Sequence, residues 1–409
     1  MLKSIKPILG ASEPMSPVPD DAPALAQALL SWYYTVKRDL PWRQTHDPYA
    51  IWVSEVMLQQ TQVKTVIPYY LRFLEHFPSL NKLAQAELEE VLSYWRGLGY
   101  YARARHLWEG ARHVFSRLNA EIPKTYEALR QIPGIGEYTA GAIASIAFGV
   151  RVPAIDGNVR RILSRILAWP YPIESALSRR EFQNRLLEWM PTSQTVGFRQ
   201  SLGNLINEPG NLNNAPGDFN QALMELGATI CLPKSPCCSA CPVSAWCQAQ
   251  TPELYPVKRA KNKPNSIIRL TFVLIREDQI YLQKRPSKGL LADLLELPGC
   301  ELPLTASTLL SLTPDDCFSL YQKTVRDRSY DREAWEFFQS SPTLHGPARH
   351  TFSHRHWNLY WLILPVRGHA FPNMIREAQN LPESSRWLSL QELDSAPIPT
   401  AFQKVIGAC

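Results

Sequence analysis

Four cysteines, Cys231, Cys238, Cys241 and Cys247, follow one another as C-x6-C-x2-C-x5-C just past a helix-like segment. Cys231 would end that helix, and the next three wrap a loop containing Pro236 and Pro242, so four sulfurs can converge on one point. Thiolates at this density suit a soft metal centre, and iron–sulfur clusters are held by four of them. A disulfide pair or a structural zinc site would use the same residues, although zinc ribbons repeat a C-x2-C pair and only Cys238–Cys241 has that spacing. Cys237 is a rival to Cys238, which fits the spacing better. Eight cysteines, four of them clustered, point to a reducing compartment rather than a disulfide scaffold. Cys237, Cys300, Cys317 and Cys409 read as unpaired thiols.

At 409 residues the chain is long enough for two domains. Lys and Arg number 43 against 37 Asp and Glu, a mild basic excess compatible with a polyanionic partner. No apolar run reaches the roughly 18 residues of a membrane span. Residues 1–22, rich in Pro and Ser, read as a disordered leader rather than a signal peptide. Residues 23–250 are helical in pattern: Leu25–Trp32, Val66–Leu74 and Leu83–Trp95 repeat apolar residues at i, i+3 and i+4. The basic stretch Pro256–Pro264 marks a linker over 251–266. From 267 to 409 the pattern is α+β, with strands over Ile267–Ile275, Ile280–Gln283 and Trp357–Pro365 and a helix over Arg326–Phe338. Phe198–Asp218, heavy in Asn, Gly and Pro, reads as a surface loop.

Two segments of the helical part carry candidate chemistry. Gln131-Ile-Pro-Gly-Ile-Gly-Glu-Tyr-Thr-Ala-Gly141 joins two helices through a turn in which Gly134 and Gly136 permit positive φ and bare the next helix's first N–H groups. Such a hairpin can hold a nucleic-acid phosphate without reading sequence, or it can simply join helices. In Ala154-Ile-Asp-Gly-Asn-Val-Arg-Arg161, Asp156 stands ahead of a helix, and on these residues alone a plain N-cap is the favoured reading.

Together the glycine hairpin, the Asp-Gly-Asn segment and the cysteine spacing resemble the helix–hairpin–helix DNA glycosylase superfamily. Trp52-Val-Ser-Glu-Val-Met-Leu-Gln-Gln-Thr-Gln-Val63 and Gly97-Leu-Gly-Tyr-Tyr-Ala-Arg-Ala-Arg105 are similar to the MutY-type adenine DNA glycosylases. The likeness runs in order over residues 24–250. It implies a mostly α helix–hairpin–helix domain with an iron–sulfur loop, a 4Fe–4S cluster on Cys231, Cys238, Cys241 and Cys247, and removal of adenine mispaired with 8-oxoguanine or guanine in double-stranded DNA. A monomer in the bacterial cytoplasm, at the nucleoid, is expected, with organelle or nucleus as alternatives.

Breaking the bond between adenine and deoxyribose needs a proton for the base and an anion for the oxocarbenium-like sugar. Glu55 lies among Ile51, Trp52, Val53, Val56, Met57 and Leu58, and a carboxyl buried there has its pKa raised by desolvation. The resemblance assigns it to protonating adenine and handling water, Asp156 to stabilising the sugar cation or bonding to it transiently, and Asn158 to orienting Asp156. Bifunctional relatives carry a Schiff-base lysine where this chain has Tyr138, whose phenol forms no imine. Base removal without efficient strand cleavage is therefore expected, with Tyr138 packing on the sugar or supporting Asp156. Flipping a base needs a wedge; the resemblance gives that task to Gln60 and Tyr100, helped by Leu98 and Thr61, and lines the adenine pocket with Trp42, Arg43 and Leu58.

The C-terminal part resembles the Nudix-like domain of MutY-type enzymes. After Gly299 it reads Cys300-Glu-Leu-Pro-Leu-Thr-Ala-Ser-Thr-Leu, lacking the Arg-Glu-x-x-Glu-Glu set that a nucleotide hydrolase uses to hold magnesium. The resemblance makes Phe352, Ser353 and His354 readers of 8-oxoguanine; on the residues alone, His350, His354 and His356 could be a metal site or an ordinary strand. Competing functions are a bifunctional or thymine-mismatch glycosylase and a non-catalytic damage-binding protein.

Overall fold

The computed structural model describes residues 21–192, 214–258, 265–313, 316–317, 319–320, 343–352, 355–366 and 386–409. Residues 1–20 of the leader, most of the Asn-rich stretch, linker residues 259–264, the helix expected over Arg326–Phe338, and both Ser353 and His354 lie outside the described residues, while leader residue Ala22 already belongs to a helix. Helices α1 (Ala22–Val36), α2 (Pro48–Leu58), α3 (Val63–His76), α4 (Leu80–Gln85), α5 (Leu88–Tyr94), α6 (Ala102–Arg117), α7 (Tyr126–Leu129), α8 (Glu137–Phe148), α9 (Gly157–Ile166), α10 (Ala176–Trp189) and α11 (Ala215–Thr229) precede the strands.

The chain divides into two compact units. One is Met1–Gln85 with His106–Ala260, the other Ala86–Arg105 with Lys261–Cys409. The second thus takes in a segment from the middle of the helical stretch.

In the first unit, α1 starts at Asp21, whose carboxylate accepts from the Ala24 N–H at 3.2 Å. Its stripe of Leu25, Leu29, Leu30 and Tyr33 packs with Ile162, Phe182, Phe219 and Leu223 of α9, α10 and α11. Each such side chain contributes about 1.5–3 kcal/mol on burial. Helix α2 has no polar face: every residue from Tyr49 to Met57 is buried, Glu55 included. Asp47 caps it by accepting from the N–H groups of Tyr49 and Ala50 at 3.1 and 3.3 Å.

The second unit is built on β1 (Asn265–Arg276), β2 (Gln279–Lys284), β3 (Leu295–Glu296), β4 (Gly299–Leu302), β5 (Leu344–Thr351), β6 (Arg355–Pro365) and β7 (Arg386–Ser389), with short helices α12 (Ala306–Leu310), α13 (Leu390–Leu393) and α14 (Thr400–Ile406). The sheet order is β3-β2-β1-β6-β5, with β4 on β1 and β7 on β2. Only β1 and β6 run parallel among the described pairs, from Asn265↔Arg355 to Ile275↔Pro365. Period-two alternation sends Ile268, Leu270, Phe272 and Leu274 into one core and Val273 into the other, so both faces are covered. Helix α12, after β4, contains no carboxylate.

Three expectations are corrected. The pattern over Leu83–Trp95 is two helices, α4 and α5, with Glu87 extended between them (φ −72°, ψ 142°). The surface loop does not reach Asp218: α11 begins at Ala215, with Pro216 in its first turn, where a missing N–H is harmless. Gly136 does not use positive φ; it is the extended N-cap of α8 at φ −84°, and only Gly134 is left-handed, at +82°.

Candidate active site

A cleft of about 1200 Å³ in the first unit is lined by Glu55, Tyr138, Asp156 and Asn158, and also by Trp42, Arg43, Leu58, Gln60, Thr61, Gly134 and Gly136. Helix α2 brings Glu55 in among mostly apolar neighbours, leaving it 4% exposed. Burial pushes its carboxyl up to about 7; the Tyr138 hydroxyl, which donates to Oε2, pulls the other way, Asp156 adds to the rise, and Arg43 opposes it. Tyr138 itself, buried against two carboxyls, is held well above the usual phenol range, so it remains a donor.

Tyr138 enters from α8, just beyond the hairpin. A Cβ on Gly134 would lie 2.6 Å from His106 Cβ, so both space and backbone angle demand glycine. At Gly136 a Cβ would meet nothing within 4 Å, and α8 has no side-chain cap. The first N–H groups of α8 are thus left for an anion.

Asp156 is the N-cap of α9, its Oδ1 accepting from the Val159 N–H at 2.7 Å. Burial prevails and raises its carboxyl above the usual range, against the opposing pull of the N–H groups of Val159 and Asn158 and the charges of Arg161 and Arg160. Asn158 therefore acts on Asp156 through its backbone. Its side-chain oxygen accepts from Arg161 at 2.9 Å.

Two residues of α11 escaped sequence reasoning. Asn220, fully buried, accepts from the Ala154 N–H at 3.1 Å and donates to Ser145 Oγ and Val152 O at 2.8 and 2.9 Å, fixing the chain just before Asp156. Glu225 grips Arg38 at 2.6 and 2.8 Å and Arg43 at 2.8 Å. Burial lifts the Glu225 carboxyl, but the two arginines prevail and hold it below the usual range. Arg43 lines the cleft with its charge already paired, and Trp42 shows little surface, with its edge on Tyr70 at 5.4 Å. Both are buried in α11 beside Phe219, Ala222, Leu223, Leu226 and Gly227, and both find their partners far away in sequence.

Cys231, Cys238, Cys241 and Cys247 line a separate hollow of about 140 Å³ with Ile162, Ile166 and Leu226, and Cys237 is not in its wall. Arg165 donates to Cys231 Sγ at 3.2 Å and to Leu232 O at 2.7 Å. Burial raises the Cys241 thiol to about 11, with the other three sulfurs adding to the rise. All eight cysteines are free thiols, and no group of three His, Cys, Asp or Glu among the described residues stands in ion-holding geometry. An all-sulfur donor set around one hollow, with an arginine beside it, has the chemistry that a soft metal cluster requires.

Residues 53–190 match the HhH-GPD superfamily of base excision DNA repair proteins, and residues 270–408 match the NUDIX domain. The adenine DNA glycosylase of Homo sapiens is 35% identical over 443 residues, covering 93% of this chain and 73% of that protein. The chain belongs to the adenine DNA glycosylase family. The family's Rattus norvegicus member is 35% identical, covering 94% of this chain and 78% of its own length. One from Buchnera aphidicola subsp. Schizaphis graminum is 29% identical, covering 93% and 97%. A solved thermostable thymine-DNA glycosylase aligns at 25% identity and a TM-score of 0.47, over 56% of this chain and 95% of that one.

The remaining candidate residues of this family member sit on turns. Gln60 is exposed and left-handed at φ +59°, directly after α2. Tyr100, in the second unit, is left-handed at φ +50° and 53% exposed. Non-glycine residues in that region are strained and cluster at functional sites. The turn before Tyr100 is pinned at Gly99 O, which accepts from Trp95 Nε1 at 3.2 Å and Arg103 Nη2 at 3.1 Å. Leu98 departs from expectation: only 6% exposed, it is a core residue and presents no wedge surface. Phe352 lies where β5 turns into β6, its N–H donating to Arg355 O at 2.8 Å. Its ring meets His350 at 4.6 Å and Trp357 at 4.9 Å.

Proposed function

We propose that the protein hydrolyses the N-glycosidic bond of adenine mispaired with 8-oxoguanine or guanine in double-stranded DNA, and leaves the strand uncut. The observation that carries the reading is a buried glutamic acid, poised near neutrality and hydrogen-bonded by a tyrosine, in one cleft with an N-capping aspartate. Glu55 donates its proton to the departing base as the bond from sugar C1′ breaks. Asp156, whose amide donors favour the ionised form, faces the cationic sugar, and water adds to C1′ as its proton passes to the Glu55 carboxylate. Tyr138 offers no amine, so no covalent imine forms to start strand scission.

DNA binding follows from the same parts. The N–H groups behind Gly136 hold a phosphate, Gln60 and Tyr100 fill the gap left by the flipped base, and Thr61 supports Gln60. Leu58, Trp42 and the Arg43–Glu225 pair bound the base pocket. Phe352, Ser353 and His354 read 8-oxoguanine, and linker Lys258 adds salt-dependent affinity. Cys231, Cys238, Cys241 and Cys247 hold a 4Fe–4S cluster that fastens the 231–247 loop and takes no part in the bond cleavage. The protein acts as a monomer on this reading.

Labelled duplexes carrying A opposite 8-oxoguanine, A opposite G, and T opposite G test the proposal, each sampled with and without alkali. Adenine loss that yields cut strands only after alkali supports it. Cutting without alkali would make the enzyme bifunctional, and binding without base loss would make it a damage-binding protein.

A further inference from the structure

Segment 86–105, which carries Tyr100, is clamped inside the second unit at three places. Glu89 pairs with Arg386 of β7. Arg96 donates to Leu393 O at 2.8 Å and to Asp394 O. Arg105 pairs with Asp293 at 2.8 Å and donates to Ala292 O, with both charged side chains largely shielded, at 15% and 12% exposure. Arg105 stands in the first turn of α6, whose opening N–H groups bond back to Tyr100 O and Tyr101 O at 2.9 and 3.2 Å. A clamp on Arg105 is therefore a clamp on the backbone at Tyr100.

The partner of Arg105 is itself unusual. Leu291 and Asp293 are both left-handed, at φ +56° and +59°, a conformation that aspartate adopts readily but leucine holds only under constraint. The constraint is Arg285, whose Nε donates to Leu290 O at 2.9 Å and whose backbone N–H donates to Leu294 O at 2.9 Å. The Arg285 guanidinium also pairs with buried Glu296 and lies 6.0 Å from the ring of Trp357, against which Phe352 packs. A continuous set of contacts thus runs from Phe352 through Trp357 and Arg285 to the strained turn, and on to Arg105 and Tyr100.

We propose that Asp293 and Arg105 are specificity-determining positioning residues, which tie the presentation of Tyr100 to occupancy of the Phe352 hairpin by the altered purine. The inference rests on the reading of Phe352 and Tyr100 given above. When the hairpin engages 8-oxoguanine, the Trp357–Arg285 contact is fixed, the strained turn keeps its shape, and the Asp293 carboxylate holds Arg105. With guanine opposite adenine the hairpin is less firmly held, and the pair does less to order Tyr100.

Asp293→Asn isolates the ion pair, because asparagine tolerates left-handed backbone and only the charge is lost. In full-length protein, single-turnover adenine release opposite 8-oxoguanine should fall about three- to tenfold, and release opposite guanine less than about twofold. Arg105→Met should reproduce the loss, Arg105→Lys should recover most of it, and the double variant Asp293→Asn/Arg105→Met should be no worse than either single one. Amide hydrogen exchange over residues 97–105 should speed up in Asp293→Asn, a readout that does not depend on catalysis. Equal losses on both duplexes, or unchanged exchange over 97–105, would overturn the proposal. A wild-type protein that releases no adenine would refute the functional reading instead, while the exchange measurement still judges the clamp.

Discussion

Glu55→Gln should make the protein more stable at pH 8 while abolishing base release. The folded state holds the Glu55 carboxyl at about 7 against an ordinary value of 4.5, chiefly because α2 buries it. Between those values the folded chain keeps a proton that the unfolded chain has lost. Wild-type stability therefore declines as pH rises from 4.5 to 7, and above 7 the full cost is present. At 1.36 kcal/mol per pH unit that cost is about 3 kcal/mol, a sizeable part of the roughly 5–15 kcal/mol typical of a folded domain. Glutamine cannot ionise, fills the same space, and still accepts from Tyr138, so it removes the cost without opening a cavity. Urea titrations of both proteins at pH 4.5, 6 and 8 should show a stability difference near zero at the acid end that grows to about 3 kcal/mol. A variant less stable than wild type at pH 8, or a difference that ignores pH, would refute the argument that burial sets the Glu55 proton affinity.

Tyr138→Phe removes the hydroxyl that favours ionised Glu55, so the alkaline fall in adenine release should move to higher pH, as read from a pH–rate profile. Gly134→Ala should cost at least about 1 kcal/mol, measured by denaturant titration, and weaken DNA binding, because the new Cβ is both strained and in contact with His106. Cys238→Ser should lose visible iron–sulfur absorbance and bound iron, whereas Cys237→Ser, outside the hollow, should keep both.

Local physics made much of the site legible before any coordinates. A carboxylate among six apolar neighbours has few places to go but the core, and Glu55 is there. Asp156 was readable as a helix cap from its place before Gly-Asn-Val-Arg, and it caps α9 through the Val159 N–H. The β-branched and aromatic content of Ile267–Ile275 likewise announced a strand, though not that both its faces are buried. What escaped depended on partners distant in sequence. Asn220 and Glu225 matter because α11 packs beside the Asp156 segment and the Arg38–Arg43 turn, which no local pattern encodes. The grouping of 86–105 with the strands is set by Glu89, Arg96 and Arg105 meeting residues far down the chain. The resemblance made Leu98 a helper of the wedge, and only packing shows that its side chain turns inward. Gly136 illustrates the converse: its glycine serves open backbone, not an unusual angle.

The most direct test of the account is the rate of free adenine release from an A:8-oxoguanine duplex in single turnover between pH 5 and 9. If protonated Glu55 delivers the proton, the rate stays level on the acid side and falls about tenfold per pH unit above roughly 7. Glu55→Gln should release no adenine at any of these pH values while still binding the duplex. A wild-type rate that holds or rises above pH 8, or substantial release by Glu55→Gln, would contradict the claim that this buried carboxyl is the acid.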